Sequence, residues 1–298
     1  MLPKLNKPSD ASPSSGKMPR AYWVKTFVCL VVFWAAMAFF GLVCRELVDN
    51  YFILLLPSAG VTISWIVRLL MGSLFVGLST GILVMLVRPA WVVITAYIIG
   101  SILFALMLGA GFSGWIVALI FAAALTVHFW IAERQMNNQI HYSIHPLSDL
   151  KLFLFACIAG LSSIAFGLGY QADVARRQYA IPPEIRKLAL DSSTKQFGIV
   201  LEVLKIGAAQ RQVFMGNTEK SIAAALEGME QQLKSYASVI PLVLGAVLFA
   251  LLLPFFFLLS ILEVLGLAIL MFFLRLLGFA HVRTEMLEVE RLTLHNLK

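Results

Sequence analysis

Few residues in this 298-residue chain are of types that do chemistry, and their spacing narrows them further. Of five histidines, His141 and His145 fall four apart, which on a helix sets two imidazoles on one face. Pro146 follows directly, however, and no carboxylate or cysteine completes a zinc-like set. His128 stands alone inside an apolar run, whereas a membrane b-type haem needs a second axial ligand on a facing helix. Cys29, Cys44 and Cys157 lie in or at the end of apolar runs without close pairing, so neither a disulfide framework nor a CxxC site is expected. No G-x-S-x-G and no G-x-G-x-x-G stands in a strand–turn–helix context, since Gly77-Leu78-Ser79-Thr80-Gly81 lies inside an apolar run, and there is no H-E-x-x-H and no Walker A. Ser162 and Ser163 have no histidine in the same run to activate them, and the last apolar run has no lysine for a Schiff base. The expectation is a chain with no cofactor, no metal and no catalytic residue, hence not an enzyme. What remains are ionisable residues near the ends of apolar runs: Arg68, Arg275 and Glu263. Glu263 is the candidate functional carboxylate, expected at interfacial depth in a turn between two spans.

The elements that carry these residues follow from composition. Hydrophobic residues make up 60% of the chain and charged ones 13%, with a mean hydropathy of +0.88, against roughly 45–50% and about 25% in a soluble domain. Lipid is the solvent this sequence matches. The net charge of +7 comes largely from cations that membrane anchoring already explains, so lipids are expected partners and nucleic acid is not. The fold class is all-α: a polytopic membrane protein of six or seven transmembrane helices with a helical-hairpin soluble domain.

Residues 1–22, rich in Pro and Ser, read as a disordered tail. An N-terminal membrane bundle spans residues 23–170, with crossings at about 24–44, 69–87, 90–108, 113–132 and 152–170. Residues 51–67 are apolar but carry Pro57 and Gly60, and are expected to be interfacial or re-entrant. The Gly109 to Gly114 run should turn the third crossing into the fourth. Charge concentrates in residues 171–237, expected to form a water-facing, heptad-patterned helical domain. Ile222, Leu226, Met229, Leu233 and Tyr236 form the seam offered to a partner helix or to its own antiparallel neighbour. That helix should run without interruption into a C-terminal membrane hairpin, 238–280, followed by a charged tail, 281–298.

Packing signals are clearer than chemical ones. Gly77 and Gly81 make a GxxxG in the second span, and Ala159, Ser163 and Gly167 a small-residue ladder in the fifth. Cations in the short loops place the N-terminus in the cytoplasm, in what is expected to be a bacterial inner membrane. The leading expectation is a non-enzymatic subunit that anchors or scaffolds a larger membrane assembly, with protein partners and a homo-oligomer both open. The alternatives are a transporter or channel for a neutral or apolar solute, and a sensor coupling residues 171–237 to the sixth span.

Overall fold

The computed structural model describes residues 20–51, 59–87, 89–109, 111–137, 145–177, 181, 183–204 and 207–279. Every regular element among them is an α-helix: α1 Arg20–Asp49, α2 Ala59–Leu86, α3 Ala90–Leu108, α4 Gly111–Asn137, α5 His145–Arg177, α6 Pro183–Val203, α7 Ala208–Ser235 and α8 Ile240–Leu276. Six of these, all except α6 and α7, are long and apolar enough to cross a membrane. In hydrocarbon every backbone N–H and C=O must find its partner within the segment, which is why uncharged runs of Leu, Val, Ile and Phe become helices here. The chain is a polytopic helical membrane protein. Most of the N-terminal tail and all of 281–298 lie outside the described residues, as do 52–58.

Glycine makes the tightest turn. Gly109 closes α3 at φ 65°, donating its N–H to the Ala105 carbonyl at 3.2 Å, and Gly111 opens α4 at φ 60°. These left-handed conformations favour residues without Cβ.

Three boundaries differ from the sequence expectation. Ala59 to Val67 are the opening turns of α2 itself, continuous with the expected 69–87 crossing, so the described part of 51–67 is not a separate interfacial or re-entrant segment. The expected C-terminal hairpin is instead one 37-residue helix, α8, and the seventh crossing disappears into it. Leu259 to Glu263 contains no Gly, Pro or Asn to turn the chain, and the internal Pro254 forfeits only its own bond to the Ala250 carbonyl. Third, α7 does not run on into α8: helical geometry breaks at Tyr236, with φ −107° and ψ 10°. Pro241 stands in the first turn of α8, where its missing N–H costs nothing and its fixed φ suits a helix start. Crossings four and five also extend further than expected, through Asn137 and Arg177.

The helices pack in a consistent register. Parallel to α1 runs α3, with Phe33 on Tyr97 at 5.4 Å and Phe40 on Phe104 at 5.6 Å between ring centroids. Antiparallel to α3, α4 brings Phe121 to Phe104 and Phe129 to Tyr97. α2 runs antiparallel to α1, with Phe75 on Phe39 at 6.2 Å and Arg68 Nη1 donating to both carboxylate oxygens of Glu46 at 2.9 Å. α5 and α8 form the most extensive interface, antiparallel, with Phe155 on Phe256 at 5.9 Å. One stripe of α8 is buried, from Leu248 through Leu252, Phe256, Ser260, Glu263 and Leu267 to Met271, while its other faces expose Leu, Val, Ile and Phe. Lys25 near the start of α1 donates to the carbonyls of Gly278 and Phe279 at 2.9 and 2.8 Å. Both ends of the bundle sequence therefore sit at one end of the bundle, as six crossings require.

Candidate functional site

Glu263 is the one carboxylate among the described residues that is buried in the bundle, at 4% exposure. It lies on α8's buried stripe within a continuous helix rather than in a turn between two spans, which corrects the setting expected from sequence. α2 faces it with Gly77, and α5 with Phe155. A Cβ added to Gly77 would lie 3.1 Å from Glu263 Oε1 and 3.0 Å from Phe155 Cζ, so any side chain there would crowd the carboxyl. Oε2 is buried without a hydrogen-bond partner among the described residues. Ser260, one turn earlier on α8, is fully buried and donates to the Phe257 carbonyl at 2.6 Å. The charged group within electrostatic reach is Lys151, near the start of α5.

The register places other unpartnered polar atoms at the same depth. Gly72 lies against Phe39 and Phe40 of α1. Because α1 and α2 are antiparallel, Ser79, seven residues beyond Gly72, comes level with Phe33, seven residues before Phe40. Phe33 packs on Tyr97, which packs on Phe129. Thr80 Oγ1, Tyr97 Oη, Ser101 Oγ and His128 Nδ1 are buried without partners among the described residues, and each lies about one helical turn or less from that level. With Glu263 Oε2 they fall within about a turn of one level on α2, α3, α4 and α8, while Trp65 Nε1 and Gln135 Oε1 are unpartnered elsewhere.

The packing candidates sit at helix contacts. Gly81 faces Leu267, whose Cδ1 would be 2.7 Å from an added Cβ, and Gly167 faces the Pro241 carbonyl at 2.8 Å by the same measure. Ala159 and Ser163 are buried on α5, with the Ser163 carbonyl against Gly245 of α8. Beside this contact a groove of about 480 Å³ opens between α5 and α8, lined by Gly160, Ser163, Gly167, Pro241, Gly245 and Phe249 among others. It holds no charged side chain.

α6 and α7 meet through Gly198 and Met215, and through Arg186, which reaches Glu227 at 3.2 Å and Glu230 at 3.8 Å. The seam candidates divide. Ile222, Leu226 and Leu233 are half-buried, whereas Met229 and Tyr236 are 54% and 63% exposed. Where the two helices approach each other at their joined ends, Ile199, Val200, Val203, Leu204, Val213 and Phe214 are all exposed.

Among the described residues no three His, Cys, Asp or Glu side chains gather where they could hold a metal ion. The sequence reading missed Thr80, Tyr97, Ser101 and Lys151, and treated Gly77 only as a packing residue. The signal available was helical spacing, since Thr80 follows Gly77 by three. No family model matches this chain, and neither a curated protein nor a solved structure similar to it was found.

Proposed function

We propose that this chain is a non-enzymatic integral membrane subunit whose six-helix bundle anchors a water-facing α6–α7 pair that docks a helical protein partner in a larger assembly. In this reading the membrane is a bacterial inner membrane, with the N-terminus cytoplasmic and α6–α7 on the opposite side. The observation that carries it is the uncovered apolar end of that pair, where Ile199, Val203, Leu204, Val213 and Phe214 are 49–74% exposed. An aqueous apolar cluster of this kind marks an interaction surface. Nine Lys/Arg against seven Asp/Glu over 171–237 leave the segment nearly neutral, so recognition would be apolar rather than by attraction to anionic lipid or nucleic acid.

A photo-crosslinking residue introduced at Val203 or Phe214 tests this in intact cells. The same protein adduct from both positions, and none from Asp191, is the expected result. Adducts with lipid alone would put the apolar end in the membrane and overturn the docking reading. Solute flux by the purified protein in liposomes would favour the transporter alternative instead.

A further inference from the structure

A carboxyl group placed among Phe155, Leu267 and the backbone of a glycine has one oxygen, Oε2, that no neighbour among the described residues satisfies. Burying an unpaired charge costs far more than burying the neutral acid, so the ligand this pocket selects is a proton. A metal ion would need several more oxygens than the single carboxylate here, and the Ser260 and Ser73 hydroxyls each already donate to their own helix, at 2.6 and 2.7 Å. The groups facing Glu263 are few. α5 contributes the Lys151 ammonium, α2 contributes the uncharged Gly77, and the far end of α8 is held by Lys25 of α1. Arg68, the charged residue nearest on α2, is engaged by Glu46. At the same level Tyr97 and His128 add two further titratable side chains with unpartnered buried atoms. Polar atoms left unsatisfied inside a membrane bundle are costly, and five of them lie within about a turn of one level on four helices.

We propose that Glu263 is a proton-binding site in the bundle interior, held open by Gly77 and able to exchange its proton with the solvent at the Lys151 end of α5. This inference does not depend on the partner-docking reading and survives its failure. Glu263 would then behave as a carboxylic acid reached through lipid, the property that a hydrophobic carbodiimide reports. The acid O–H adds across one C=N bond of the reagent, oxygen to the central carbon and proton to nitrogen. The resulting O-acylisourea rearranges to a stable N-acylurea carrying the whole reagent.

The purified full-length protein in lipid nanodiscs is treated with dicyclohexylcarbodiimide at a series of pH values, and the modified site is located by peptide mass spectrometry. The expected adduct is on Glu263, formed at a rate that falls about tenfold per pH unit on the alkaline limb. Glu263→Gln removes it, and a water-soluble carbodiimide labels Glu227 in preference. No adduct on Glu263 at any pH between about 5 and 9, with the denatured protein labelling normally, would overturn the proposal. So would a rate independent of pH across that range, or equal labelling by the water-soluble reagent. Protection by Na⁺ at fixed pH would show a metal cation in the pocket and overturn the proton assignment. Because the wild-type protein supplies the primary readout, the result stands even if the Gln variant fails to fold.

Discussion

Two glycines on α5 differ in what surrounds them, and replacing each by alanine separates close packing from helix propensity. Gly169 faces α1: a Cβ there would lie 2.5 Å from the Val48 carbonyl oxygen and 3.0 Å from its Cα, both backbone atoms that cannot swing aside. Gly160, nine residues earlier, has nothing within 4 Å. Both substitutions gain helix propensity, about 1 kcal/mol for Gly to Ala. Only Gly169→Ala must push α1 and α5 apart, and overpacking of this kind costs about 1–3 kcal/mol. The expected difference between the two variants is therefore about 1–3 kcal/mol, or roughly 5- to 150-fold in the unfolding equilibrium constant. Reversible unfolding in mixed micelles, followed by circular dichroism as sodium dodecyl sulfate is added, measures it. Stabilities equal within about 0.5 kcal/mol would refute the α1–α5 approach described here.

Lys25→Met should release the end of α8 from the start of α1, because the ammonium serves as donor to two terminal carbonyls and lies 5.0 Å from the Phe279 ring centroid; limited proteolysis near Arg275 should speed up, and Lys25→Arg should restore protection. For Arg68 and Glu46, 54% and 37% exposed, a double-mutant cycle on thermal stability should give a coupling of about 0.2–1 kcal/mol. Zero coupling would show that the pair does not form. Reporter fusions at residues 1 and 298 should report the same side of the membrane; opposite sides would require a seventh crossing. A cysteine introduced at Gln196 should react with an impermeant maleimide in intact cells, and labelling only after lysis would reverse the proposed orientation.

Much of the bundle is legible in the sequence, because backbone satisfaction in lipid makes an uncharged run of sufficient length a helix whatever its side chains. The α3–α4 turn is legible for a similar reason: Gly109 and Gly111 are the residues that tolerate φ near 60°. Continuity was harder. Splitting α8 at Glu263 treated a charge as a boundary, but one carboxylate inside a long apolar run is cheaper to bury against a glycine on a neighbouring helix than to serve as a turn without turn residues. Joining α7 to α8 overlooked Pro241, which suits the first turn of a helix. The shared level of the unpartnered atoms was illegible because it depends on the register between helices, which no local pattern records: Thr80, Tyr97, Ser101 and His128 are scattered along the sequence and come near one level only through the Phe33, Tyr97 and Phe129 contacts.

The unequal lengths of the crossings have a consequence for the membrane itself. α3, with 19 residues, is about 28 Å long and matches a hydrocarbon core of about 30 Å while standing nearly upright. α8, with 37 residues, is about 55 Å long and apolar almost throughout. A bilayer matched to α3 is thinner than α8 is long, so α8 would have to lean, project beyond the hydrocarbon or locally thicken the bilayer along its exposed Leu, Val and Phe side chains. Thickening the bilayer would reduce that mismatch for α8 while stretching lipid around α3, so a change of thickness would be felt along the helix that carries Glu263.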